Sequence, residues 1–211
     1  MTITYYGQSC FKILSNNLVI ITDPFDKSLG LTPPRLNADI VTISHEHFDH
    51  NNAAGLGGSP FVIKGPGEYE IKGISVYGIQ SFHDEVQGQK RGLNTIYLIE
   101  TEGIKLCHLG DLGQDKLSEE QIEEIDDPDI LFVPVGGTYT LDGKAAAGVV
   151  NQIEPRMVVP MHYQLVGQKN DLAAVDKFLK EMGAAKKEPV EKITFKKKNL
   201  PQETEVVVLK I

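Results

Sequence analysis

The sequence predicts a single α/β domain spanning residues 1–211, and three observations support this prediction. The N-terminal part of the chain contains short apolar, β-branched segments separated by turn signals, whereas the remainder alternates strand-like and helix-like segments. No Pro/Ser-rich linker separates the two parts, and no repeat with a period of about 20–50 residues is present. The composition, with 41% hydrophobic and 24% charged residues, is that of an ordinary globular chain.

The N-terminal part is predicted to consist of strands. Valine, isoleucine, threonine and aromatic residues dominate these segments, and the turn signals GQS, SNN, GPGE and KG separate several of them. The predicted strands are residues 2–6, 11–14, 18–22, 39–44, 61–64, 69–71 and 74–80. One of them, 39–44, leads directly into the motif HEHFDH, so we expect a rigid element to hold that motif.

The C-terminal part is predicted to alternate strands with helices. Ser118 followed by Gln121 is a capping-box pattern, and Asp142 is a typical N-cap residue. The third helix is predicted from an apolar stripe at helical spacing that ends at Gly183. The predicted helices are residues 118–125, 142–152 and 171–182, and the predicted strands are residues 94–100, 104–109, 130–135, 157–161, 193–195 and 205–211.

Charge and cysteine content exclude several classes of protein. The chain has 21 Lys and Arg against 29 Asp and Glu, a net charge of −8, which disfavours binding to nucleic acid or to an anionic membrane surface. Cys10 and Cys107 lie far apart, so a disulfide framework is not expected. The apolar runs are far shorter than a membrane span of about 20 residues, and the start of the chain lacks a signal-peptide pattern. We expect a cytoplasmic protein without membrane insertion.

The motif HEHFDH is the strongest chemical signal in the sequence. It places His45, His47, Asp49 and His50 directly after a buried strand. Imidazoles with one carboxylate form a ligand set that suits zinc, and also iron, cobalt or nickel. A His-rich surface turn is the alternative interpretation. The motif therefore predicts a metal site, provided that other elements supply further ligands.

Three other polar residues follow apolar strands and can complete such a site. They are His83 in SFHDE, Asp111 in HLGDLG and His162 in PMHY. A single histidine after a strand is more often structural, but with the first motif these residues form a set of five histidines and two aspartates that can hold two ions. His108 lies close to Asp111 and is interpreted as structural, because the ligand set is complete without it.

These motifs together resemble the metallo-β-lactamase superfamily across nearly the whole chain. The resemblance rests on YYGQSCFKI, IITDP, HEHFDH, SFHDEVQGQKRGLN, PVGGTYTLDGKAAAG and VVPMHY. It is strongest to the compact metal-dependent hydrolases that include the L-ascorbate-6-phosphate lactonase group. It implies a four-layer αβ/βα sandwich formed by one hydrolase domain.

The resemblance also implies the role of each ligand. Two divalent ions are implied, zinc in the first instance with manganese or iron as alternatives, held by His45, His47 and His83 on one side and by Asp49, His50 and His162 on the other, with Asp111 bridging. Asp23, in IITDP, is implied to brace the ligand loop from outside the ligand shell.

Departures from the sequence patterns of related enzymes reduce the number of activities that fit this chain. Oxygen-reducing diiron relatives carry HxExD, whereas this chain has His47 at the glutamate position, which disfavours redox chemistry. Glyoxalase II and the β-lactamases usually place their third histidine in a G-H-T-x-G type motif, whereas His83 lies in SFHDE. Many compact relatives carry a histidine where this chain has Gln8, so the role of that histidine cannot be assigned to a residue of this chain.

These residues predict metal-dependent hydrolysis, and the resemblance to the lactonase group implies that the substrate is a small ester or lactone, which can carry a phosphate. A metal-bridging hydroxide would attack the substrate, and Asp49 is the candidate for orienting it and passing a proton to the leaving group. The alternatives are a phosphodiesterase acting on a nucleotide or phospholipid head group, and a metal-binding protein without turnover. The expected partner is a small molecule; a homo-oligomer is compatible with the sequence.

Several other residues allow two interpretations. Arg91 could contact an anionic substrate group or be an exposed loop charge. Asp84 could orient the imidazole of His83 or be a solvated loop residue. Thr138 and Tyr139, in GGTYT, could contact substrate or serve the turn.

Overall fold

Two β-sheets form the framework of the computed structural model, which describes residues 1–211. The first sheet has six strands, which are β1 (Thr2–Gly7), β2 (Cys10–Ser15), β3 (Leu18–Thr22), β4 (Asn37–Ile43), β5 (Gly57–Lys64) and β12 (Lys192–Thr194). The second has seven strands, which are β6 (Gly67–Ile71), β7 (Ile74–Phe82), β8 (Leu93–Thr101), β9 (Ile104–His108), β10 (Ile130–Pro134), β11 (Met157–Met161) and β13 (Glu205–Val206). Their spatial orders are β12-β1-β2-β3-β4-β5 and β13-β11-β10-β9-β8-β7-β6.

The strand directions bring several strand ends to one edge of the second sheet. Strands β9, β10 and β11 run parallel to one another. Strand β8 is antiparallel to both β7 and β9, so β7 points the same way as β9 and β11. The carboxyl ends of β7, β9 and β11 therefore lie at the same edge, which is where polar loop residues can converge.

The apolar residues pack on both faces of the first sheet. Alternation along β3 and β4 sends Ile20 and Ile40 into a large cluster of 44 buried residues that joins the two sheets. The next residues, Ile21 and Val41, belong to a smaller cluster of eight on the opposite face. The segment after β3 covers this second face and contributes Phe25, Leu29 and Leu31 to it.

Three short helices belong to the second half of the chain. They are α1 (Glu119–Ile125), α2 (Gly143–Ile153) and α3 (Asp176–Glu181). Helix α2 contacts β10 and lies between α1 and α3. Ser118 forms the predicted capping box with Gln121, and Asp142 caps α2. None of the helices has the length and apolar character needed to cross a bilayer. The predicted α/β fold, a four-layer αβ/βα sandwich, is confirmed by the two large sheets and the few helices.

Two predicted elements are shorter in the structure than expected, whereas the strand predicted for 61–64 begins earlier, at Gly57. The helix predicted for 171–182 begins only at Asp176, because the backbone before it pairs elsewhere: Ala173 N–H donates to Gly136 O at 2.8 Å, and Ala173 O accepts from Gln164 N–H at 3.0 Å. The strand predicted for 205–211 ends at Val206; beyond it, Val207 N–H still donates to Val158 O at 2.9 Å, and Leu209 forms an isolated bridge with Val190. In the helical segment, tertiary hydrogen bonds outweigh the local pattern.

Candidate metal centre

The HEHFDH motif lies in a tight loop at the carboxyl end of β4. The strand is buried along most of its length and ends at Ile43, so it fixes the start of the loop. The backbone N–H of His50 donates to His47 O at 3.0 Å, which closes the loop on itself. The backbone N–H of Asn52 donates to Pro24 O at 2.7 Å and ties the loop to the segment after β3.

The second sheet supplies the other candidate ligands from its shared edge. His83 directly follows β7, and its backbone N–H donates to Gly92 O at 3.1 Å. His162 directly follows β11, and its backbone N–H donates to Gln8 O at 2.7 Å. Asp111 comes three residues after the end of β9. The strand directions thus explain why residues distant in sequence meet here.

Gly110 allows the two sheets to approach each other at the site. Its φ is +56°, and a Cβ at this position would lie 2.6 Å from Ser44 Cβ. The backbone N–H of the next residue, Asp111, donates to Asn94 Oδ1 at 2.9 Å, which fixes the carboxylate's position. His108 is structural, as predicted: its Nε2 lies 2.9 Å from Ser9 O, and its Nδ1 accepts from Gly110 N–H at 3.2 Å.

A single carboxylate oxygen of Asp111 lies at the centre of the histidine cluster. Asp111 Oδ2 is 3.2 Å from His162 Nε2, 3.3 Å from His50 Nε2, 3.5 Å from His83 Nε2 and 3.8 Å from His45 Nε2. All five side chains are at least nine-tenths buried. A carboxylate oxygen surrounded in this way by imidazole nitrogens belongs to a donor set that can bind a metal ion.

The candidate ligands form two groups around this oxygen. The ligand atoms within each group lie within 4.8 Å of one another; the groups are His45, His47 and His83, and Asp49, His50 and His162. His47 is half-buried and the side chain of Asp49 keeps 13% exposure, so this side of the cluster faces solvent. The structure therefore brings all seven predicted ligand residues together, with an accessible side for a substrate.

Asp23 makes hydrogen bonds at the start of the HEHFDH loop, and it also lies close to His45 and His50. Its Oδ1 accepts from Ser44 N–H at 2.8 Å, while Oδ2 accepts from Ser44 Oγ at 2.6 Å and lies 3.0 Å from His50 Nδ1. Ser44 Oγ in turn lies 2.9 Å from His45 Nδ1. These contacts leave the Nε2 atoms of both histidines free to face Asp111, which is the bracing role that the sequence predicts for Asp23.

The carboxylates of Asp111 and Asp23 stabilise positive charge beside them in the cluster. Burial opposes ionisation of Asp111, but the charges and hydrogen bonds of His162 and His50 outweigh it and hold its pKa well below the usual range. Burial also opposes protonation of His50, but Asp111 and Asp23 outweigh it and raise the pKa of His50. Burial, followed by repulsion from His50, lowers the pKa of His45 to about 2, so that His45 is the neutral imidazole that metals require.

The donor atoms of the cluster fit divalent ions. His45 Nε2, His83 Nδ1 and His162 Nδ1 are buried and have no hydrogen-bond partner. An unpaired buried polar atom costs about 1–3 kcal/mol, and of these three only His45 Nε2 faces Asp111, so it is this atom that indicates a further group at the centre of the cluster. Imidazole nitrogens with carboxylate oxygens form a set that suits zinc and its neighbours. The residues present therefore fit a metal centre.

Asp84 does not have either of the roles considered for it. It is buried, at 4% exposure, and makes no hydrogen bond to His83. Its two oxygens instead accept four backbone N–H groups from residues 86–91, at 2.7–2.9 Å. The donors are Val86, Gly88, Lys90 and Arg91. Asp84 therefore organises the loop that follows His83, because the local backbone competes for its oxygens.

Arg91, Thr138 and Tyr139 contact other parts of the protein. The Arg91 guanidinium lies 4.3 Å from the centre of the Tyr139 ring, so the loops after β7 and β10 meet. Thr138 has a φ of +44°, and its hydroxyl donates to Asp171 O at 2.8 Å. The turn interpretation of Thr138 is therefore supported, whereas Arg91 and Tyr139 remain exposed and accessible to a ligand.

Four residues of the site were not predicted from the sequence. Gln8 Nε2 donates to Asp49 Oδ2 at 2.8 Å, and Asn170 Nδ2 donates to the same oxygen at 3.4 Å. Ser9 Oγ donates to Asp111 Oδ1 at 3.4 Å, and Gln168 Nε2 donates to Gln8 Oε1. The only available signal was the GQS turn, where Gln8 stands in place of the histidine of similar proteins.

Comparison with known proteins gives matches over most of the chain. A family model described as a beta-lactamase superfamily domain matches residues 2–162. Metal-dependent hydrolases of Thermococcus onnurineus and Carboxydothermus hydrogenoformans are each 28% identical, over 76% and 77% of this chain and 84% of each relative. The crystal structure of a metallo-β-lactamase superfamily protein of Thermotoga maritima is 38% identical, with a TM-score of 0.82, covering 99% of this chain and 97% of that one.

Proposed function

Because the chain belongs to the metallo-β-lactamase superfamily and is a metal-dependent hydrolase, we propose that it is a dinuclear enzyme that cleaves a small ester or lactone. The observation that carries the dinuclear proposal is the position of Asp111 Oδ2, within 3.2–3.8 Å of four imidazole nitrogens. A carboxylate oxygen so placed can serve two ions at once. The whole chain, residues 1–211, would act as one hydrolase domain.

The two groups of ligands would each hold one ion. His45, His47 and His83 would hold the first and Asp49, His50 and His162 the second, with Asp111 between them. The Thermotoga maritima relative is described as a candidate Zn-dependent hydrolase, which favours zinc over manganese or iron. When bound, such ions supply Lewis acidity and make water a nucleophile near neutral pH.

Asp49 is the residue that we propose for proton transfer. It lies on the accessible side of the cluster, and Gln8 and Asn170 donate to its Oδ2. A carboxylate in this position can orient the attacking water, accept its proton and return that proton to the leaving oxygen. Alkyl leaving groups need that proton most, and a lactone ring opens to such a group.

The exposed pair of Arg91 and Tyr139 is the proposed contact for a charged part of the substrate. Arg91 projects from the loop whose backbone Asp84 holds, and this loop begins directly after His83. A guanidinium on this loop would suit a phosphate or carboxylate on a small substrate. The net charge of −8 supports a small-molecule substrate over nucleic acid.

A parallel activity screen on metal-loaded protein tests this function. The substrates are alkyl lactones with and without a phosphate group, p-nitrophenyl esters and bis-p-nitrophenyl phosphate. We expect turnover of lactones and esters, with Arg91→Ala raising KM for phosphorylated lactones only. Preferential turnover of the phosphodiester would replace this proposal by a phosphodiesterase. A fully loaded protein inactive on every substrate would instead indicate a metal-binding protein without turnover.

A further inference from the structure

The side chain of Gln8 connects Asp49 to a distant loop. Its Nε2 donates to Asp49 Oδ2 at 2.8 Å, and its Oε1 accepts from Gln168 Nε2 at 2.6 Å. Gln8 is completely buried and Gln168 is 8% exposed. The two glutamines come from distant parts of the chain, with a sequence separation of 160. A hydrogen-bonded path therefore runs from residues 164–170 to a candidate metal ligand.

The direction of the Gln8 amide is set by Gln168. An amide has one donating and one accepting end, so a donor facing Oε1 forces the NH₂ group to point at Asp49. Gln168 is itself fixed, because its Oε1 accepts from Leu165 N–H at 3.3 Å and its carbonyl accepts from Gln164 Nε2 at 3.2 Å. The contacts of Gln168 within residues 164–170 therefore fix the orientation of the Gln8 amide.

The backbone of Gln8 cannot move to relieve this arrangement. Its φ is +56°, in the left-handed region, and its carbonyl accepts both Tyr5 OH at 2.8 Å and His162 N–H at 2.7 Å. A shift of Gln8 would therefore disturb His162 as well as Asp49. Strained conformations of this kind persist only where the surrounding contacts hold them.

We propose that Gln8 and Gln168 are positioning residues. Gln168 sets the direction of the Gln8 amide, and the Gln8 amide in turn fixes Oδ2 of Asp49 as a hydrogen-bond acceptor. The same oxygen lies 3.7 Å from His50 Nε2, so the amide acts directly beside the candidate ligands. The proposal rests on the proposed function, because it needs Asp49 to be a ligand. Outer partners of this kind typically change metal affinity by about 10–100-fold when they are mutated.

The substitution Gln168→Glu tests this proposal without touching Asp49. The introduced carboxylate offers only acceptor oxygens, so the Gln8 amide would turn its NH₂ group outward and present Oε1 to Asp49. We expect the affinity of the weaker zinc site, measured by competition with a chromophoric chelator, to fall about 10–100-fold. The uncharged Gln168→Met should change it in the same direction by less. Gln202→Glu, at an exposed position, adds the same charge and should leave the affinity unchanged.

A double-mutant cycle separates action through Gln8 from a general effect on the loop. In a Gln8→Ala background, Gln168→Glu should change the affinity by no more than about twofold, because the residue through which it acts is gone. Equal losses in both backgrounds, or wild-type affinity for Gln168→Glu alone, would overturn the proposal. If Gln168→Glu fails to fold, Gln168→Met in both backgrounds decides by the same criterion. Failure of the wild-type protein to bind zinc would instead overturn the proposed function.

Discussion

Asp49 is the residue that is proposed both to bind metal and to transfer protons. Its Oδ2 lies 3.7 Å from His50 Nε2 and accepts from Gln8, and its side chain retains some exposure to solvent. A residue that only holds metal and a residue that also transfers protons differ in how they respond to excess metal. This difference can be measured at a single position.

The substitution Asp49→Asn should leave a defect that metal does not repair. Asparagine keeps a carbonyl oxygen for ligation but cannot accept and return a proton, so activity at saturating zinc should stay about 10²–10⁴-fold low on alkyl lactones. The loss should shrink for p-nitrophenyl esters, whose leaving group needs no proton. Steady-state kinetics at full metal occupancy provide the measurement. Equal losses on both substrates would leave Asp49 as a ligand alone.

At the residue scale, the sequence predicts the candidate ligand side chains better than it predicts the residues that position them. The seven predicted ligand residues lie together because each follows a buried strand, and such strands are readable from the pattern. The Gln8–Gln168 contact joins residues 160 apart, and no local pattern encodes it. Neither of the two roles considered for Asp84 is found, because four nearby backbone N–H groups donate to its oxygens.

The backbone of the loop after β7 is held in place by one side chain, that of Asp84. Asp84→Ala would release the backbone N–H groups of residues 86–91 that it binds, so their amide hydrogen exchange should accelerate by at least about tenfold, while the β8 amides stay protected. Glu85→Ala is the matched control, since exposed Glu85 contacts only the side chain of Lys90. Unchanged exchange in the Asp84 variant would show that the loop is held by other contacts.

Helix α2 depends on its predicted cap. Asp142 Oδ1 accepts from Lys144 N–H at 3.0 Å and Ala145 N–H at 2.9 Å, and the helix packs against β10. Asp142→Ala should lower the free energy of unfolding by about 1 kcal/mol, whereas Asp142→Ser, which can still cap, should lose less. Urea denaturation measures both. A smaller loss for alanine than for serine would contradict the assignment of the cap.

At the element scale, prediction succeeds where local signals and tertiary contacts agree. Ser118 and Asp142 begin their helices as expected, because their side chains satisfy backbone donors within the same segment. The helix predicted from residue 171 begins five residues later, since Ala173 exchanges backbone hydrogen bonds with Gly136 and Gln164. An apolar stripe cannot reveal that competing partner.

At the scale of the whole molecule, the main consequence of the topology is that strands of both sheets end at the same site. The loop after β4 comes from the first sheet, while β7, β9 and β11 of the second sheet end beside it. Gly110 permits the close approach, and Asp111 then lies among histidines from both sheets. The fold class was predictable from the order of strands and helices, and the sheet order became known only from the structure.

Metal content per chain tests the central claim most directly. Elemental analysis of the purified protein after reconstitution with zinc should give about two ions per chain. His162→Ala should give about one, because it removes a ligand of one group only, and its Nδ1 bonds no other protein group. Circular dichroism confirms that the variant is folded. Fewer than ~0.2 ions per chain in the reconstituted wild-type protein would contradict the account of this site as a metal centre.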